Sequence, residues 1–288
     1  MATALTDLFE GLIDDAAVFP PGNSPLPQAL AGHRAHNDQW YASLVGPLLV
    51  PAGSWVELSE LVSDESPENT DRPVRVGLIS RPGGDVEVLR EAELGLREVD
   101  GVQVVGAELG WYPRWYDELA GDLPLAIEVP RGEDQDQAIA DVRAAQREGY
   151  PVVAKFRTGP TPTWQWPDEN ELAAFLAVVA AADVPFKLTG GLHHALRGRY
   201  VPAGGEEEDN HGLLNILAAT HAAAIEAPVE DIAAILAERD PSALVHRLRD
   251  LKRREIASVR ELFTAYGCCT VTDPITELVD HGLLDQKD

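Results

Sequence analysis

The sequence predicts a single α/β domain, a closed (β/α)8 barrel of the TIM type with a C-terminal helical extension. Short runs rich in Val, Ile and Leu alternate with amphipathic stretches at helical spacing, the pattern of βα units whose parallel strands are covered on both faces. Seven or eight such units fit within roughly 220 residues, a length suited to a closed barrel. No glycine-rich dinucleotide turn follows the first strand, and Gly190-Gly191 lacks the G-x-G-x-x-G spacing, which argues against an open doubly wound sheet.

The predicted strands span residues 16–20, 43–50, 74–79, 102–109, 123–129, 152–157 and 184–189. An eighth is expected at 212–217, although His211-Gly-Leu-Leu-Asn-Ile-Leu equally opens a helix running to 224. Between the strands, 55–62 is a short helix and 85–99 sets Val86, Leu89, Leu94 and Leu96 among charges. The stretch 134–148 carries Ile139 and Val142, and 168–182 buries Leu172, Phe175, Leu176 and Val179. These elements place the barrel core over about 12–225. Residues 228–266 then read as a long helical region broken near Asp240-Pro241, with Ile232, Ile235, Leu244, Leu248, Leu251, Ile256, Val259 and Phe263 at helical spacing, packed outside the barrel. The segment 267–288 holds turn residues and a short helix at 274–281, expected to cap one end or to meet a second subunit.

Composition excludes some partners. The chain of 288 residues is 45% hydrophobic, enough for one large core. Its 48 acidic residues against 23 basic ones leave a formal net charge of -25, a field that repels phosphate backbones and anionic membrane surfaces. Nucleic acid and membrane are therefore not expected as partners, whereas a small-molecule substrate is, with a homo-oligomer left open. No apolar run approaches the ~18–20 residues that span a bilayer, and residues 1–15 are acidic where a secretory signal is basic, so a cytoplasmic protein is expected. The two cysteines, Cys268 and Cys269, are adjacent and cannot staple distant segments; they read as two small buried residues or as a vicinal redox pair.

Chemistry concentrates on two of the four lysines. Lys155 ends the run Pro151-Val-Val-Ala154 and Lys187 ends Val184-Pro-Phe186, whereas Lys252 and Lys287 read as surface residues. Period-two alternation puts Val153, Lys155 and Arg157 on one face of their strand, and Lys187 on the next strand brings its ammonium within several ångströms of the first. Two cations in a poorly solvated pocket disfavour each other's charged form, so at least one lysine is expected to have a lowered pKa and to offer a free amine that attacks carbonyls. Arg157 adds a planar fork for a substrate carboxylate or phosphate. The competing reading pairs Lys155 and Lys187 with Glu108 or Glu128 as a structural network in the barrel lumen.

Other candidates gather at the C-terminal ends of the predicted strands, where barrel enzymes place their catalytic groups: Asp14, Asp15, Glu108, Glu128, His193 and His194. Glu108 and Glu128, one strand apart, flank a substrate or serve as lysine counter-ions, with one of them moving protons. His193 and His194 act as general acid or base, sit in loops, or join a divalent ion with His211, Glu108, Glu128 or Asp15, although no H-x-H or H-E-x-x-H spacing is present. Lys155, Lys187, Glu108, His193 and His194 form the expected catalytic set. Arg157, Glu128, Asp15, Gly190, Gly191 and Asn215 form the expected substrate-binding set. Phe19-Pro20-Pro21-Gly22 shapes the first loop, and Trp111, Trp115, Trp164 and Trp166 line an apolar pocket, act as lids or pack on the surface.

Lys155-Phe-Arg-Thr158-Gly159, followed by Lys187-Leu-Thr-Gly190-Gly191-Leu192, resembles the strand-six and strand-seven signatures of class I deoxyribose-phosphate aldolases, K-x-x-T-G and K-x-x-G-G-[IV]-R. The resemblance implies a Schiff-base role for Lys155 and a tuning role for Lys187, and it leaves Glu108 as counterpart of the family's strand-four proton relay. The chain departs from the pattern where His193-His194 replaces the arginine after the glycine pair. It also lacks the phosphate-binding Gly-Ser turn of strand eight and carries Glu206-Glu-Glu-Asp209 nearby, which points away from a phosphorylated sugar. The whole chain resembles, in Leu12-Ile-Asp-Asp-Ala-Ala-Val-Phe-Pro-Pro21, Leu192-His-His, His211-Gly-Leu-Leu-Asn215 and Gly267-Cys-Cys, a bacterial and archaeal family without an assigned activity.

These features predict a lysine-dependent lyase or aldolase acting on a small carbonyl compound without a cofactor. The alternatives are a metal-dependent hydrolase or isomerase on the same scaffold, which needs a divalent ion, and a non-catalytic barrel that binds a metabolite.

Overall fold

Eight parallel strands close into a barrel in the computed structural model, which describes residues 5–66, 69, 71–84, 86–118, 123–201 and 207–286. The strands are β1 (Ile13–Asp15), β2 (Val45–Pro51), β3 (Val74–Ile79), β4 (Val102–Gly110), β5 (Leu125–Glu128), β6 (Val152–Arg157), β7 (Phe186–Thr189) and β10 (Phe263–Cys268). A two-stranded antiparallel hairpin, β8 (Gly198–Tyr200) and β9 (Glu208–Asn210), stands apart from them. Around the barrel run helices α1 (Leu26–His36), α2 (Trp55–Ser63), α3 (Val86–Arg97), α4 (Gln135–Arg147), α5 (Glu169–Ala181) and α6 (Leu213–Ala224). They continue with α7 (Val229–Ala237), α8 (Pro241–Arg249), α9 (Arg253–Leu262) and α10 (Thr272–Asp280). The order β1-β10-β7-β6-β5-β4-β3-β2 closes on itself, so no strand edge is left open. Asp85, Glu206 and Lys287, singled out in the sequence, lie outside the described residues.

Alternation along each strand separates two environments. On β6, Val152, Ala154 and Phe156 turn outward and are buried under the helices, while Lys155 and Arg157 turn into the lumen. An aromatic ladder seals the outer layer there. Phe156 stacks on Phe175 of α5 with centroids 4.6 Å apart, Phe175 meets Phe186 edge-on at 5.6 Å, and Phe186 stacks on Phe263 at 5.2 Å. Four buried rings thus tie β6, α5, β7 and β10 together, and removing any one would cost about 3–5 kcal/mol. Helix α5 begins cleanly because the Asp168 carboxylate accepts a hydrogen bond from the Glu171 amide at 2.8 Å, a cap worth about 1 kcal/mol.

Three boundaries differ from the sequence expectation. The first strand is Ile13–Asp15 rather than 16–20, because the two acids suit a strand with a different partner on each face. The eighth barrel strand is Phe263–Cys268, not 212–217, which begins the buried helix α6. Ten of the twelve residues of α6 are buried, and an apolar run covered all round carries no period that separates helix from strand. The helical region expected outside a core of 12–225 is accordingly the β7–β10 connection, and the core reaches residue 268. Phe263 continues the spacing of Ile256 and Val259, which hid the point where the chain leaves α9 for the barrel. The predicted helices near 55–62, 85–99, 134–148, 168–182 and 274–281 are present. No helix among the described residues is long and apolar enough to cross a membrane.

Candidate active site

Four lumen-facing positions on consecutive strands meet at the C-terminal mouth. In the parallel register, Lys187 of β7 lies beside Lys155 of β6, and Lys155 beside Glu128 of β5; Glu108 of β4 pairs with Ala126 one step further down β5. Lys155 (3% exposed), Lys187 (7%) and Glu108 (4%) are buried, so each charge must find its partner within the protein.

They do so in an alternating chain. Asp14 of β1 accepts from Lys187 Nζ at 2.5 Å, and Lys187 also donates to Glu108 Oε1. The other oxygen of Glu108, Oε2, lies 2.6 Å from Lys155 Nζ, which lies 2.9 Å from Glu128 Oε2. Arg157 closes the series, with Nε and Nη2 donating to Glu128 at 2.8 and 3.2 Å. Three cations and three carboxylates thus run Asp14, Lys187, Glu108, Lys155, Glu128, Arg157 across the lumen.

The electrostatics follow from this order. Burial pushes the Glu108 carboxyl up, but the charges of Lys155 and Lys187 and the hydrogen bonds from both outweigh it and hold the pKa at about 2. Burial pushes Lys187 down, yet Asp14 and Glu108 more than reverse this, and its pKa is raised. The expected lowering of a lysine pKa is therefore reversed at Lys187, because the carboxylates separate the two ammonium groups. Glu128 is held below its ordinary value: burial raises it, and Lys155 and Arg157 pull it lower. Asp14, deeply buried with one cation close by, is raised by desolvation despite Lys187.

A cavity of about 580 Å³ opens above this chain, and Glu108, Glu128, Lys155 and Arg157 line it. Lys187 and Asp14 are not among its lining residues; they lie behind Glu108. The two lysines are therefore unequal, one facing the cavity and one supporting it. Thr158 fastens the rim, since its hydroxyl donates to the Gly190 carbonyl and also lies 3.2 Å from the Thr189 carbonyl. Gly190 and Gly191 both adopt positive φ, +72° and +69°, and a Cβ on Gly191 would meet the Trp166 ring at 2.2 Å. The T-G and G-G elements of the two motifs thus shape neighbouring loops, and both glycines line the cavity as expected.

Several expected site residues stand elsewhere. Asp15 alternates away from Asp14: its Oδ2 lies 3.1 Å from His33 Nδ1 on α1, and its Oδ1 accepts from the Ala17 amide. Asn215 is fully buried in α6, bonded to the Arg197 amide and to the carbonyls of Ile235, Leu236 and Glu238. His194 lies against Tyr200, with centroids 3.4 Å apart, and Glu277, whose Oε1 is 2.7 Å from its Nδ1. His211 bonds the Pro167 carbonyl through Nε2, at 2.9 Å. Only His193 lines the cavity, where its Nδ1 is 3.5 Å from Cys269 Sγ; burial lowers this imidazole's pKa, and burial raises that of the thiol. Arg157 reaches the cavity, with its Nε and Nη2 bonded to Glu128. Among the described residues, no group of three or more His, Cys, Asp or Glu side chains is arranged to hold a metal ion.

The tryptophans also separate. Trp166 lines the cavity, Trp111 donates to Asp141 on α4 at 2.9 Å, Trp115 is fully buried, and Trp164 lies exposed beneath the Arg131 guanidinium. Phe19, Pro20 and Pro21 line the mouth as expected. Sequence reasoning left Asp14 outside the catalytic and substrate-binding sets because it placed the first strand three residues too late. The alternation Ile13-Asp14-Asp15, correctly placed, points Asp14 inward. Comparison with protein-family models, curated proteins and solved structures found no match to this chain.

Proposed function

We propose that the protein is a lysine-dependent lyase of the aldolase type, acting on a small carbonyl compound through a Schiff base at Lys155. The observation that carries this reading is the inequality of the lysines: Lys155 lines the cavity, and Lys187 does not, bonded instead to the carboxylate that both share. The resemblance of the K-F-R-T-G and K-L-T-G-G segments to class I aldolase signatures supports the same division of roles.

Lys155 Nζ has a carboxylate oxygen within 3 Å on either side, from Glu108 and from Glu128. Passing its proton to one of them yields the amine, which adds to the carbonyl carbon; that proton and a second one from the nitrogen then move to the departing oxygen, water leaves, and a protonated C=N bond remains. The cationic imine withdraws electrons from the adjacent carbon–carbon bond, which is the step that a lyase requires. Lys187 holds Glu108 in place. Burial excludes the bulk water that would screen these charges.

Borohydride trapping with a panel of small aldehydes and ketones tests the reading. A reduced adduct on the Lys155 peptide, absent in Lys155→Ala, is the expected result. A folded protein that yields no adduct at Lys155 with any of the panel overturns it.

A further inference from the structure

Part of the cavity wall beside the charges is hydrocarbon. Ala16 beyond β1, Leu49 of β2 and Ile79 of β3 form an apolar cluster separate from the main core, with Phe19 packed on it, and all four line the cavity. The separation is informative. These four touch one another and the cavity space instead of joining the main core. Alternation explains their inward aim: Leu49 is in register with Gly77, and Ile79 with Glu108, so the apolar patch and the charge chain share one floor.

The polar side chains of the wall include Arg81, Thr161, Thr189, His193 and Glu208 besides the charge chain, and none belongs to the apolar cluster, whose four side chains carry no hydrogen-bond donor or acceptor. Pro20, Pro21 and Pro82 extend the patch with backbone that has no N–H to donate. Of the described residues of the acidic hairpin, Asp209 turns onto Arg197 at 2.5 Å and Glu208 reaches the cavity.

We infer that the substrate carries a hydrocarbon substituent, aliphatic or aromatic, on the side of the carbonyl remote from Lys155, seated against Ala16, Phe19, Leu49 and Ile79. This rests on the Schiff-base reading for its chemistry but not for the existence of the apolar subsite. Those four side chains disfavour a hydroxyl group, because its hydrogen bonds to water are lost against them without replacement.

Two probes separate the inference from the reading beneath it. In the first, butanal and erythrose, of equal carbon count, compete for borohydride trapping in the full-length protein, with the adduct read on the Lys155 peptide and exposed Lys252 as internal control. The expected half-saturating concentration is about tenfold or more lower for butanal. In the second, hexan-1-ol, which cannot form an imine, is titrated by calorimetry into the wild type and into Leu49→Asn and Ile79→Thr. Ile79→Thr is the milder change and keeps the test valid should Leu49→Asn fold poorly by circular dichroism. Saturable binding, weakened by at least one folded variant, supports the subsite even if neither aldehyde is trapped, in which case the Schiff-base proposal alone fails. Trapping of erythrose as readily as butanal, or no saturable hexan-1-ol binding, overturns the inference, while the Lys155 chemistry stands wherever an aldehyde is trapped on Lys155.

Discussion

Lys155 and Lys187 stand side by side in the parallel register of β6 and β7, and the opposite oxygens of one carboxylate, Glu108, hold them. That arrangement turns what would be mutual repulsion into a shared attraction, and several consequences can be measured.

Glu108→Gln keeps the shape of the bridge but removes its charge. The ammonium groups then face each other with one anion fewer, and loss of a buried partner of this kind costs about 3–5 kcal/mol. The variant also takes one of two anionic partners from the Lys155 ammonium, so carbonyl trapping at neutral pH should rise. Denaturant titration and trapping rates check both; an unchanged rate would mean that Glu108 does not govern the amine.

Lys187→Met leaves Asp14 and Glu108 buried beside each other without the cation between them. A loss of about 3–5 kcal/mol is expected at neutral pH. Adding Asp14→Asn should recover part of it, because the carboxylate most in need of Lys187 is then neutral. Additive losses in the double variant, measured by chemical denaturation, would contradict the pairing.

Acid should weaken the fold in two windows. Burial holds His211 at about 4 against an ordinary 6.5, so the unfolded chain takes up a proton that the folded one refuses, and stability falls as pH drops from 6.5 to 4. Glu108, lowered to about 2, contributes stability that is present above 4.5 and lost as pH falls from 4.5 to 2. Each effect is worth roughly 3 kcal/mol, with Asp14, raised by burial, acting in the opposite sense. In His211→Gln, the slope of unfolding free energy between pH 6.5 and 4 should flatten by about one proton, as seen in urea titrations at stepped pH.

Gly46 of β2 is pressed against Asp14: a Cβ there would lie 1.9 Å from Asp14 Oδ1. Gly46→Ala should therefore displace the carboxylate from Lys187 and lower the melting temperature, and Asp14→Gly in the same chain should relieve the clash. An unchanged melting temperature in Gly46→Ala would show that Asp14 has room to move.

Asn215→Ala removes three hydrogen bonds to carbonyls at the C-terminal end of α7 and should cost stability, about 2–3 kcal/mol. Carbonyl trapping at Lys155, assayed at a temperature where the variant is folded, should be unchanged, as Asn215 lies in α6 outside the cavity. A change in trapping would return it to the site.

Periodicity made the barrel, six of its strands and most of its helices legible in the sequence, since alternation at β2 to β7 is a local property of each segment. It also placed Lys155, Lys187, Glu108 and Glu128 on lumen faces, which needs only the direction of a side chain on a strand. Which segment closes the ring was not legible. Leu213–Ala224 is apolar all round as a helix wedged between others, and Phe263–Cys268 continues the spacing of the helix before it. Both are decided by what packs against them. The tertiary structure likewise decided the charge states: separation along the chain cannot show that Asp14 and Lys187, 173 residues apart, meet at 2.5 Å. A lysine's proton is set by the nearest charges in space, and only closure of the barrel put three carboxylates between three cations.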